Sequence, residues 1–155
     1  MKARILLILV ALAMVMATSG PMVVAADAVV PFKATYVTHP NTVGMVDGVL
    51  MLEIPAEGKA THLGKSTWYA EMWVDTNSYP WPQGADMTFT AANGDQLFGS
   101  YNGYAIPTEE GVEFWGDFQI GGGSGRFEGA TAAGTYWGAC GDSEGILHFD
   151  GMLTQ

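Results

Sequence analysis

Cysteine is nearly absent from this chain: Cys140 is the only one in 155 residues, so no intrachain disulfide can form. Positive charge is almost as scarce. Six Lys and Arg face sixteen Asp and Glu, a formal net charge of −10, which makes nucleic acid a poor partner. Charged residues make up only 14% of the chain and hydrophobic ones 48%, the reverse of a disordered composition. Local metal motifs are missing too. His39, His62 and His148 fall into no H-x-H or H-E-x-x-H spacing, and the acidic turns 93–95 and 142–144 lack the dense oxygen spacing of a calcium loop. No G-x-S-x-G elbow mounts a nucleophile, and no N-x-S/T sequon offers a glycan acceptor. Neither a metal nor a cofactor is therefore expected.

The one long apolar run is residues 5–16, preceded by Lys2 and Arg4 and broken by Thr18, Ser19, Gly20 and Pro21. It is too short for a membrane span, which needs roughly 20 residues, and it suits the h-region of a secretory signal peptide. Val24, Ala25 and Ala26 offer a cleavage point after Ala26, and Ala26-Asp27-Ala28 a second one after Ala28. The expected organisation is a signal peptide over 1–26 and a single domain over 27–155, exported to the periplasm or beyond the cell. An uncleaved anchor helix is the alternative. The mature chain would keep Lys33, Lys59, Lys65 and Arg126 against all sixteen acids, so an anionic lipid surface would repel it and no stable membrane insertion is expected. Cys140 is then either buried as a small hydrophobe or a route to a covalent dimer, and a homo-oligomer stays open.

Past residue 27, alternation and turn residues replace helical spacing. Strands are expected over 29–38, 48–54, 86–91, 96–106, 112–120, 131–139 and 145–153. Pro55 and Glu57-Gly58 are read as ending the second. The stretch 60–75 is read as two strands bent near Gly64, and 76–84, with two prolines, as a loop. Asn93-Gly94 is a strong hairpin signal, since both residues tolerate positive φ. About eight strands with short connections predict an all-β fold, a single antiparallel barrel of roughly eight strands, because closure leaves no edge to aggregate. Glycines repeated within strands suit the bends of a small barrel.

The most specific string runs from Gly121 to Ala130. Phosphate loops are also glycine-rich, but they open a helix, whereas here strands flank the corner and Glu128 follows it. The corner Gly122-Gly123-Ser124-Gly125, with Arg126, Phe127, Ala130 and Gly134, resembles that of the allene oxide cyclase and dirigent superfamily. The resemblance covers about 40 residues, including the strand before the corner, and is closest to secreted bacterial members with a Gly-Arg-Phe corner and no assigned activity. It implies an eight-stranded, allene oxide cyclase-like barrel around a central cavity that takes small apolar or phenolic molecules. The family's catalytic residues find no counterparts here, so none is carried over. Read from the residues alone, Gly125 supplies the positive φ, Phe127 plugs the core, and Arg126 either captures an anion or forms an ion pair with Glu128 or Asp117.

The remaining candidates mix aromatics and carboxylates. Tyr69, Glu71 and Trp73 share one strand face, and Trp115 and Asp117 another. Such groups either line a cavity for an amphiphilic or cationic ligand or form a half-covered outer surface. Three functions are compatible with these residues: an exported barrel that binds a small apolar or phenolic ligand without catalysis, a cyclase or isomerase acting on a hydrophobic substrate, and an envelope or matrix module with a filled barrel.

Overall fold

The structure, a computed structural model, describes residues 27–155. The expected signal peptide lies outside the described residues. Nine strands follow in order: β1 (Val29–Thr38), β2 (Asn41–Val46), β3 (Val49–Ala60), β4 (Gly64–Asp75), β5 (Trp81–Ala91), β6 (Gln96–Thr108), β7 (Gly111–Gly123), β8 (Thr131–Cys140) and β9 (Gly145–Thr154). A single 3-10 turn, Gly125–Phe127, follows β7. From β3 to β9 each strand pairs antiparallel with the next, and β9 pairs with β1. The ring closes where Ala34–Thr38 of β1 meets Ala56–Ala60 of β3. Eight strands thus make a closed barrel, and β2 lies outside it as a flap on the first half of β3.

Alternation decides which side chains enter. On β4, Ser66, Trp68, Ala70 and Val74 are buried while Thr67, Tyr69, Glu71 and Trp73 face out. A carboxylate cannot enter the low-dielectric centre without a partner, so Glu71 fixes the parity of its whole strand. The centre is aromatic. Phe32, Phe89, Phe118 and Phe149 interlock with centroids 5.2–5.8 Å apart, and Trp68 and Tyr36 pack on them. Each such pair adds about 0.5–1.5 kcal/mol beyond its burial. One end of the barrel is stoppered by Leu63, Leu97, Phe127, Ala130 and Leu153, all buried.

Three local expectations need correction, and one strand was missed. The second strand does not stop at Pro55 but continues to Ala60. Pro55 falls between the last β2 pair, Asn41 opposite Glu53, and the first β1 pair, Thr38 opposite Ala56, where the neighbouring strand changes and no ladder donor is required. The stretch 60–75 holds one new strand rather than two, because Thr61–Leu63 turn the chain with His62 at φ 67° and Gly64 at φ 69°. Residues 81–84 belong to β5, not to a loop; Trp81 and Pro82 pair with β6 beyond the point where β4 has ended its ladder at Val74 opposite Gln83. The flap β2 was not expected at all. Its signal was Asp47-Gly48, both at positive φ, the dipeptide of a two-residue hairpin.

Candidate functional site

The half of the barrel opposite the stopper is not filled. A cavity of about 140 Å³ opens there, lined by residues from the C-terminal ends of β1, β4, β6 and β8 and the N-terminal ends of β3, β5, β7 and β9. Leu50, Leu52, Ile54, Val74, Ala105, Val112 and Leu147 supply aliphatic wall, and Trp68, Trp81, Tyr101, Phe114 and Tyr136 supply rings. Pro40 and Cys140 also line it, and burial pushes the Cys140 thiol up, which keeps it protonated.

The rings at the base are held by close packing. Tyr101 stacks on Trp68 at 6.2 Å and meets Tyr136 at 4.6 Å. Tyr136 lies across Gly103 and Gly116, which oppose each other on β6 and β7. A Cβ at Gly103 would come within 2.5 Å of the Tyr136 hydroxyl, and one at Gly116 within 2.8 Å of its ring, so both positions require glycine. Few polar groups accompany these rings. Gln83 Nε2 donates to the Tyr136 hydroxyl at 2.9 Å, and the Tyr101 hydroxyl donates to Met72 Sδ at 3.1 Å. Trp68 Nε1 and Gln83 Oε1 are buried without any hydrogen-bond partner. Such orphaned groups are uncommon in folded proteins.

Acid–base chemistry has little to work with here. No Asp, Glu or His lines the cavity among the described residues. The two tyrosines are both pushed well above their ordinary value by burial, Tyr136 despite its bond from Gln83. They stay neutral and can donate a hydrogen bond, but they cannot act as bases near neutral pH.

None of the residues singled out from the sequence lines this cavity. Tyr69, Glu71, Trp73, Trp115 and Asp117 all lie on the outer wall. Trp73, Trp115 and Asp117 do meet, in one surface groove that also includes Tyr104 and Trp137. Tyr69 and Glu71 sit further along β4 beside Asp86 and Phe98. The sequence reading missed Trp68, Gln83, Tyr101, Tyr136 and Leu147. Alternation through 86–91 extended back to Gln83 was the signal for one of them; the others read only as core.

The glycine corner caps the closed end, away from the cavity. Gly125 stands at φ 59° and Phe127 is fully buried. Gly123 leaves room for Phe127, since a Cβ there would meet the Phe127 Cβ at 2.7 Å, whereas Gly122 has open space beside it. Arg126 pairs with neither Glu128 nor Asp117. Its Nε lies 3.8 Å from Asp95, its Nη2 donates to the His62 carbonyl at 2.9 Å, and its guanidinium sits over the Phe127 ring. It therefore straps the β3–β4 and β5–β6 turns to the corner. The hairpin geometry explains the change of partner: Asn93-Gly94 delivers Asp95 directly against Gly125.

No family model, curated protein or solved structure matches this chain.

Proposed function

We propose that this protein is an exported barrel that binds a small apolar or phenolic molecule in its open half, without catalysis. The observation that carries the reading is the cavity itself: an almost wholly carbon-lined space of about 140 Å³ left unfilled beside a densely packed aromatic centre. An engineered apolar cavity of about 150 Å³ stays dry and takes up benzene, so a void of this kind favours an apolar guest over water. Its size suits one ring, or the tip of a longer molecule entering by the mouth, and falls below the ~300–1,000 Å³ of drug-sized sites. A single hydroxyl on that ring could donate to Gln83 Oε1, which is buried without a partner on a residue of the cavity wall, and this is why a phenol belongs in the class. The corner's likeness to the cyclase and dirigent barrels supports the same reading. The cyclase or isomerase alternative finds Tyr101 and Tyr136 in the cavity but no carboxylate, and burial keeps both tyrosines protonated, so they offer a proton donor without a base. The filled-barrel alternative fits only the closed half.

Titration with benzene, toluene, phenol and indole, followed by tryptophan fluorescence and by thermal melting, tests the proposal. Trp68 and Trp81 line the site and report directly. Saturable binding at roughly 1 mM or tighter, equivalent to about 4 kcal/mol, is expected. Ala105→Leu extends a buried side chain into the void and should abolish binding while leaving the melting temperature unchanged or raised. No response to any of the four compounds, or equal response from Ala105→Leu, would overturn the reading.

A further inference from the structure

Exposed aromatic side chains on a barrel wall are unremarkable when scattered, but here they are gathered. Tyr104 on β6, Trp115 on β7, Trp137 on β8 and His148 on β9 stand each directly opposite the next. Trp137 and His148 are stacked with centroids 5.4 Å apart. Trp73 joins them from β4. It stands opposite Gly84, and the absent side chain lets the indole lie down toward Asn102; a Cβ at Gly84 would come 3.0 Å from Trp73 Cζ2 and 2.8 Å from Asn102 Oδ1. A groove runs between Trp73 and the aromatic row, with Asn102, Asp117 and Thr135 along it. Trp73, Trp115 and Trp137 remain 39%, 41% and 46% exposed.

Charge identifies what would cover this face. Glu53, Glu71 and Asp86 stand directly opposite one another on three adjacent strands, a like-charge arrangement that sheets ordinarily avoid. Glu113 and Asp117 flank Trp115 along β7. No Lys or Arg occurs anywhere on β5–β9. Lys33 on β1 is held by Asp150 at 2.6 Å, and Arg126 is tied down at the closed end. Lys59 and Lys65 stand opposite each other toward the closed end of β3 and β4, six residues along from Glu53 and Glu71. Among the described residues the face therefore presents aromatic π faces and carboxylates with no cation within it.

We infer that this outer face docks an arginine-bearing peptide segment of a partner protein. A guanidinium stacks flat on an indole and takes a carboxylate with two parallel hydrogen bonds, which a compact ammonium cannot do. The row from Tyr104 to His148 spans three strand spacings, about 14 Å, which matches roughly four residues of extended chain. The site lies on the outer side of the wall; Gln83 and Tyr136 border both spaces, but the residues changed in its test, Trp115, Trp137 and Asp117, line only the groove, so its test is separate from that of the interior reading.

Fluorescence anisotropy of a labelled hexa-arginine peptide titrated with the purified protein tests the inference. Saturable binding is expected, weakened about tenfold by Trp115→Ala with Trp137→Ala, two exposed cation–π partners together. Asp117→Asn, which keeps the shape of the groove, should weaken binding several-fold, and raising salt from 0.05 to about 0.5 M should weaken it strongly. Hexa-lysine should bind less well than hexa-arginine. Equal affinity of the parent and both variants would reduce the effect to general attraction by an acidic protein and would overturn the inference. So would the absence of hexa-arginine binding, including the case in which a neutral oligosaccharide binds instead. Circular dichroism melts check that the variants fold, and Asp117→Asn keeps the test decisive where the double variant does not.

Discussion

Gly125 is where a single methyl group should do the most damage per atom. Two independent penalties meet there. The residue stands at φ 59°, a left-handed conformation that costs an L-residue about 1–2 kcal/mol. A Cβ would also overlap the Asp95 carboxylate, which must then move. Asp95 Oδ2 accepts from Asn93 Nδ2 at 2.8 Å and from the Arg126 backbone N–H at 3.4 Å, and it faces the Arg126 side chain. Losing one good hydrogen bond costs about 1 kcal/mol, and the half-exposed ion pair adds about 0–1 kcal/mol. Gly125→Ala should therefore cost roughly 2–4 kcal/mol. Gly125→Val adds β-branching at positive φ and pushes on the neighbouring corner, so the buried Phe127 is at risk; losing its packing altogether would add about 3–5 kcal/mol.

Other glycines supply the controls. Gly129 stands at φ 77° with open space beside it, so Gly129→Ala isolates the backbone penalty. Gly121 has open space and no positive φ, and Gly121→Ala should be silent. In a domain of this size about 1 kcal/mol moves the melting temperature by roughly 4 °C. Thermal melts should then rank Gly121→Ala at the parent value, Gly129→Ala roughly 4–8 °C below it, and Gly125→Ala roughly 8–16 °C below it. Asp95→Ala should bring the cost of a second change, Gly125→Ala, down to that of Gly129→Ala, since the overlap has been removed. Gly125→Ala melting with Gly129→Ala in the parent background would refute the Asp95 contact. Gly125→Val melting with the parent would refute the whole account of the corner.

Alkaline pH should unfold the barrel steeply. Burial raises Tyr36 to about 12, against a hydrogen bond with Ser66 that lowers it, and also raises Tyr101 and Tyr136. Their folded values exceed the unfolded value near 10, so the unfolded chain loses protons first: stability is intact below about pH 10 and falls as pH rises toward 12, by roughly 1.4 kcal/mol per pH unit for each tyrosine. Circular dichroism against pH should show the loss beginning near pH 10, and stability unchanged to pH 12 would contradict their burial. Ser66→Ala leaves the buried Tyr36 hydroxyl without its 2.7 Å partner and should cost about 1–3 kcal/mol by urea titration. Gly58→Ala should be severe, because its Cβ would strike the Thr35 carbonyl at the β1–β3 seam; soluble, cooperatively melting protein from that variant would mean the ring is not closed there.

The closed barrel was readable because its signals are local. Asn93-Gly94 and the Gly125 corner specify turns by backbone sterics alone, and the alternation Val112, Phe114, Phe118, Ile120 shows which face of β7 enters the core. What failed was punctuation by proline. Pro55 and Pro82 look like strand breakers in one dimension, yet each sits where a neighbouring strand has ended, a fact that exists only after the sheet is assembled. The cavity was hidden for a different reason. Its wall is Leu50, Val74, Ala105 and Val112, residues indistinguishable from packed core in sequence, since a void is a shortage of neighbours and leaves no residue type behind.

The candidates chosen for their chemistry were sent outward by that same chemistry. Glu71 and Asp117 drew attention as carboxylates beside tryptophans, but a carboxylate without a cation cannot be buried, so its strand must turn that face to water. Every second residue follows, which carries Tyr69 and Trp73 out with Glu71, and Trp115 out with Asp117. In a barrel whose described residues hold four Lys and Arg against sixteen Asp and Glu, parity thus separates two kinds of surface. Neutral rings line the inside, where only an uncharged guest fits, while acidic and aromatic residues together line the outside, where a cation meets both at once. Reversing the parity of β7 would place Glu113, Asp117 and three rings, Phe114, Trp115 and Phe118, on the wrong sides simultaneously, so neither surface can be altered by register drift without unfolding the other.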